Sequence, residues 1–120
     1  MEKVNLAEKL ALVDDHWNPR VVPELNGQHV RVVKVRGEFV WHSHAAEDEL
    51  FLVVRGRLRI ELRDRAVELG PGELLVVPRG VEHRPVADEE VELVLFEPAG
   101  TLNTGNAARD VRTRDALGRL

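Results

Sequence analysis

Cysteine is absent from this 120-residue chain, which removes disulfides, thiolate metal ligands and thiol nucleophiles together. Tyrosine is also missing, and Ser43 is the only serine. Ser43 stands between His42 and His44, and in an extended strand it points away from both, so a serine–histidine hydrolase has little support. No stretch concentrates positive charge without acidic neighbours, and the formal net charge is -4, which argues against nucleic acid or an anionic membrane as partner. No apolar run is long enough to span a bilayer, and the N-terminus MEKVNLAEKLALVDD is too charged for the apolar region of a signal peptide. The expected location is therefore the cytoplasm. Any chemistry has to come from metal, histidine and carboxylates.

Hydrophobic residues make up 43% of the chain and charged residues 32%, an ordinary balance for one globular domain with a single core. Asn5 with Glu8 forms a capping-box pattern, and Leu6, Leu10 and Val13 recur at helical spacing, so a short N-terminal helix is expected. From Val21 onward the pattern is extended. Asn26-Gly27 between two such runs signals a hairpin. The apolar phase shifts between Val32 and Val33, as in a bulged strand or one covered on both faces. Leu58, Ile60 and Leu62 alternate cleanly with charged residues, and the arginines among these read as a solvated face. Eight or nine short strands in all, with turn signals between them, predict an all-β antiparallel sandwich or barrel. Residues 1–108 are read as one domain, with residues 98–108 as an ordinary surface turn or, less simply, a lid. Residues 109–120 are read as a mobile tail.

The informative stretch is WHSHAAEDELFLVVRG, residues 41–56. Residues two apart on a strand share a face, so His42 and His44 lie side by side, with a carboxylate just beyond a turn and a further imidazole available at His83. By the same alternation Val40 joins the histidine face, while Phe39 and Trp41 take the other. That apolar second face suggests packing against the N-terminal segment or a second subunit, and so a homodimer. Phe51 and Val53 share the parity of Glu49, and with Leu95 they would make an apolar pocket. Arg79 is placed near the barrel mouth, and His16 and His29 at the surface.

These residues resemble the cupin family. Its first motif, Gly, then His-x-His, then Glu, then Gly, reads Gly37, His42, His44, Glu49 and Gly56, with six residues between Glu49 and Gly56. Its second reads Gly72, Pro78, Gly80 and His83. Gly37 is one residue closer to His42 than the usual pattern, and the position where relatives often carry Asn is Ala87. The resemblance implies a cupin double-stranded β-helix (jelly-roll) barrel whose core motifs and strands cover residues 37–97. It also implies one divalent cation held by His42, His44, Glu49 and His83. The Glu49-to-Gly56 interval selects Glu49 over Glu47 and Asp48 as the ligand. Three imidazoles and one carboxylate suit Fe, Mn, Ni, Co, Cu or Zn and match Mg or Ca poorly. The implied activity is a metal-dependent isomerase, lyase or oxygenase on a small oxygen-bearing molecule, with Glu49 as candidate proton carrier. A non-enzymatic metal-containing binding or sensing module and a structural cupin with an empty site are the other readings.

Overall fold

The computed structural model describes residues 1–120. Helix α1 (Leu6–Ala11) starts as the capping pattern requires: the Asn5 side chain accepts a hydrogen bond from the Glu8 N–H at 3.0 Å. No helix is long and apolar enough to cross a membrane. Seven strands follow: β1 (Arg20–Leu25), β2 (Gln28–Glu38), β3 (Glu49–Arg55), β4 (Leu58–Leu62), β5 (Ala66–Leu69), β6 (Leu74–Val77) and β7 (His83–Pro98). The order across the antiparallel sheet is β1-β2-β7-β3-β6, with β4 pairing both β5 and β7. The two-residue turn between β1 and β2 places Asn26 at φ 51° and Gly27 at φ 77°, the positive values that a type I′ hairpin turn demands.

There are fewer strands than the turn signals suggested, for two reasons. His83 and Val91–Phe96 belong to one continuous strand, β7, whose 16 residues bend across the molecule. Its first part pairs with β4 and the end of β2, and its last part lies between β2 and β3. Residues 39–44, expected as a strand, carry no ladder beyond a single bridge between His42 and His83.

The interior divides into two. The barrel is filled mainly by Val33, Val35, Phe51, Val53, Leu58, Ile60, Leu93 and Leu95, all essentially buried. On the outer face of β2 and β7, Val32 and Val94 lie beneath Leu10 and Val13 of the N-terminal segment. The adjacent Val32 and Val33 are therefore both buried because β2 is covered on both faces. The arginine-bearing face of β4 is ion-paired, Arg57 with Glu68, Arg59 with Glu61 and Asp88, and Arg63 with Glu82, as its alternation indicated.

Pairing in β2 stops at Glu38, after a register slip between Val35 and Gly37. Phe39 keeps the inward phase of Val33 and Val35, and His42 turns inward one position out of step with it. Phe39 is thus buried beside the histidines and not on the opposite face: its ring centroid lies 5.3 Å from that of His42 and 4.7 Å from that of Trp17, against which it stacks. Strict alternation failed there because no ladder enforces it. Trp41 does face outward, but its ring lies beneath the Arg63 guanidinium at 3.9 Å.

The segment after β7 returns across the barrel mouth. Thr101 and Thr104 are buried, so residues 98–108 are more than an ordinary surface turn. Asn106 accepts from the Ser43 N–H at 2.7 Å and donates its own N–H to the Ser43 carbonyl at 3.1 Å. Gly105 has φ 52°, and a Cβ there would lie 2.3 Å from the Ser43 carbonyl oxygen, so only glycine permits this approach. Residues 109–120 continue over the surface: Arg112 donates to the Glu38 carbonyl, and Gly118 and Leu120 exchange backbone hydrogen bonds with Val21.

Candidate metal centre

Two backbone segments far apart in sequence are joined to make the site. His42 and His83 exchange both backbone hydrogen bonds, at 3.1 and 2.9 Å, and the Gly80 N–H donates to the His44 carbonyl at 2.8 Å. This brings the histidine pair against the turn that carries His83. Glu49 opens β3 opposite Val77 of β6. Ligand atoms of His42, His44, Glu49 and His83 all lie within 4.8 Å of one another, and all four residues are buried. The structure thus brings together the four residues singled out from the sequence.

The second nitrogens of two rings set the orientation. His42 Nδ1 and His83 Nδ1 each lie 2.9 Å from a carbonyl oxygen, of Val40 and Val81, a contact only an N–H makes. With the proton held on Nδ1, each Nε2 presents a lone pair inward. Glu49 Oε1 lies 3.4 Å from both His44 Nε2 and His83 Nε2. None of these three buried atoms has a hydrogen-bond partner. Buried polar atoms that converge without a partner are unfavourable unless a cation or proton stands between them. The donor set therefore fits a divalent transition ion, which this buried group can hold.

Electrostatics point the same way. Burial, with His83 as neighbour, pulls the His42 imidazole down to about 4, so it is neutral and available as a ligand at pH 7. Burial alone would raise the Glu49 carboxyl, but the imidazoles of His44 and His83 hold it below the usual range.

A second buried acid was not identified from the sequence. Leu50 pairs with Phe96 and Phe51 with Leu95, so one further step along β3 and β7 sets Glu49 opposite Glu97. Glu97 is 1% exposed. Its Oε1 accepts from Arg31 Nη1 at 2.6 Å, and Arg31, equally buried, also donates to the carbonyls of Ala99 and Thr101. Burial and the facing Glu49 carboxylate raise the Glu97 carboxyl well above its ordinary value, against the pull of Arg31. The available signal was parity: Glu97 shares the inward phase of Leu93 and Leu95, where an acid is out of place.

Beside the cluster is a cavity whose volume, for the centre of a water-sized sphere, is about 40 Å³. Its wall is mostly apolar, with Phe51 and Leu95 as expected and Trp17, Phe39 and Leu93 in addition. Val53 is buried in the barrel core nearby. The remaining polar candidates lie elsewhere. Arg79 pairs with Asp48 outside the barrel, Arg84 with Glu38 and Glu61, His16 with Glu90 and His29 with Glu24. The Glu47 carboxylate accepts only from the N–H of neighbouring Ala46.

Known proteins share this sequence pattern and fold. The cupin-domain family model matches residues 29–97. A cupin-2 domain containing protein from Shewanella frigidimarina superposes with a TM-score of 0.78 at 47% identity, over 79% of this chain and 93% of that one. Protein NMB1881 from Neisseria meningitidis gives a TM-score of 0.74 at 31% identity, over 82% of this chain and all of that one. The Bacillus subtilis protein YdbB is 38% identical over 64 residues, a match spanning 52% of this chain and 57% of that protein. With both cupin motifs meeting in one buried cluster inside an antiparallel barrel, the chain belongs to the cupin family.

Proposed function

We propose that this protein is a metal-dependent enzyme acting on a small oxygen-bearing molecule. The observation that carries this reading is the set of buried, unpartnered atoms His44 Nε2, His83 Nε2 and Glu49 Oε1, in a cluster whose His42 and Glu49 line a mostly apolar cavity. His42, His44, Glu49 and His83 would hold one divalent transition metal, which when bound supplies Lewis acidity or an oxygen-binding centre. The protein's own contributions follow from its side chains. Val40 and Val81 fix the ring orientation of His42 and His83 through their carbonyls. Trp17, Phe39 and Phe51 exclude water and give a ligand's apolar part a surface to rest on. Glu49, the carboxylate nearest the two imidazoles, is the candidate for holding or moving a proton at Oε2, the oxygen not turned to those rings. Isomerase, lyase and oxygenase chemistry all remain open to such a centre, because a fold does not choose among reactions.

A non-enzymatic binding or sensing module is the second reading. The small volume and mostly apolar wall of the cavity favour it, since they suit holding a small ligand as well as turning it over. Phe39 faces this cavity and Trp41 is covered by Arg63, so a homodimer would have to use another surface.

The test is elemental analysis of protein purified without an affinity tag, with mass spectrometry of whatever co-purifies. One equivalent of metal in the wild type and none in the His42→Ala/His83→Ala double variant is expected; full occupancy in that variant defeats the ligand assignment. Turnover that survives verified metal removal would defeat the metalloenzyme reading, and a bound, unreacted metabolite would favour the sensor.

A further inference from the structure

The four-residue cluster accounts for one end of a ligand. The rest of the cavity's polar lining is nearly all engaged within the protein. Trp17 Nε1 donates to the Arg36 carbonyl at 2.9 Å. Asn103 donates through Nδ2 to the Arg112 carbonyl at 2.6 Å and accepts at Oδ1 from the Arg114 N–H at 2.8 Å. Glu97 differs. Its Oε1 is held by Arg31, while its Oε2 is buried and has no hydrogen-bond partner. It is therefore the one polar group lining the cavity, outside the cluster, with an atom to offer.

A buried carboxyl oxygen left unpartnered is costly, so a ligand that satisfies it gains affinity from that contact. Fixing the position is equally important. Arg31 bonds to two loop carbonyls as well as to Glu97, so the carboxyl plane is anchored from behind and cannot rotate freely toward solvent. The β3–β7 register sets Glu97 directly across from Glu49, so an oxygen seated at the cluster has Glu97 as its neighbour.

Resting on the metal-site reading above, we propose that Glu97 is a specificity-determining residue: its Oε2 hydrogen-bonds a hydroxyl adjacent to the ligand oxygen that sits at the His42–His44–Glu49–His83 cluster. A hydroxyl suits this position because it both donates and accepts, and so pairs with a carboxyl in either protonation state. The ligand class is a small molecule bearing two neighbouring oxygen functions, of which a 2-hydroxy acid is the simplest case. Space sets the scale. A single water needs about 10–15 Å³ on the same measure, so the cavity admits only a few such groups before its mouth must widen.

The test uses full-length protein loaded with cobalt(II), titrated with glycolate and separately with acetate while the visible absorption of the metal is followed. The two probes differ in the hydroxyl. The variant is R31M/E97M, which replaces a buried ion pair by apolar side chains of similar size and so leaves no charge stranded. It should bind one equivalent of cobalt, as wild type does. Its affinity for glycolate should fall about tenfold while that for acetate changes less than about threefold. Equal glycolate-to-acetate ratios in wild type and variant overturn the proposal. Should the double variant not fold, Glu97→Gln keeps the bond to Arg31 through its amide oxygen and turns an amino group into the cavity. The ratio should then move by about threefold or more, and an unmoved ratio again overturns the proposal. Failure of the metal reading looks different: wild-type protein would take up no cobalt and show no visible bands at all.

Discussion

Stripped of metal by a chelator, the protein should lose stability on mild acidification through His42. An unfolded histidine titrates near 6.5, whereas burial beside His83 pulls this one down to about 4. Between those values the unfolded chain binds a proton that the folded chain refuses, so stability falls as pH falls through that window. At about 1.4 kcal/mol per unit, the gap is worth about 3 kcal/mol at pH 4 relative to pH 7. Two neighbours also titrate. Glu49, with its lowered folded value, loses its contribution only below its ordinary value of 4.5, whereas Glu97, raised, contributes most at low pH and less as pH rises. The raw profile therefore mixes opposing signs. The comparison that isolates the imidazole is wild type against His42→Gln, by urea unfolding at several pH values between 7 and 4 with chelator present. The gap between the two proteins should close by about 3 kcal/mol across that window. Parallel profiles would refute the assignment of a buried, neutral His42.

Glu49→Gln keeps the shape and removes the charge, and should lower metal affinity at least about tenfold with fold retained, as read by competition against a chelator of known affinity. Gly105→Ala drives a Cβ into the Ser43 carbonyl and strains a left-handed residue; it should cost about 1–2 kcal/mol in thermal unfolding and speed amide exchange across 100–106. An unchanged exchange rate would mean that the loop does not rest on Ser43. Ile60→Ala, at a fully buried position in the barrel core, should cost about 2–5 kcal/mol without altering metal stoichiometry.

The four-residue cluster was legible in the sequence because its spacings are local. His42 and His44 are two apart, and their turn places Glu49 next to them. The remaining distance to His83 is closed by a second motif with its own glycines and proline. The barrel was legible for a similar reason, since alternation in β4 and the Asn26-Gly27 turn are short-range signals that tertiary contacts only reinforce. What escaped depended on registers and closures between distant strands. Phe39 was assigned to the wrong face because alternation was carried through residues 39–41, where no neighbouring strand holds the phase. Residues 98–108 looked like a plain turn because nothing in TLNTGN shows that Ser43 offers a carbonyl and an N–H to Asn106.

Glu97 is the most instructive case, because its position follows from pairing alone. Once Leu50 is set against Phe96, Glu97 must face Glu49, and two carboxyl groups then share the buried interior. Like charges across a strand pair are destabilising unless something intervenes. The chain supplies part of the answer in Arg31, which engages one oxygen of Glu97 and is itself held by the loop after β7. It supplies no hydrogen-bond partner for Glu49 Oε1 or for Glu97 Oε2. A fold needing only a packed core would be served better by apolar residues at both positions, like the neighbouring inward Phe51, Val53, Leu93 and Leu95. Two acids retained there, with imidazoles on one side and a cavity on the other, are arranged for a cation and an oxygen-bearing ligand. The stability each acid sacrifices should then be recovered on binding. On that logic the metal-loaded protein melts well above the stripped one, and the R31M/E97M variant, stripped of metal, melts no lower than the stripped wild type.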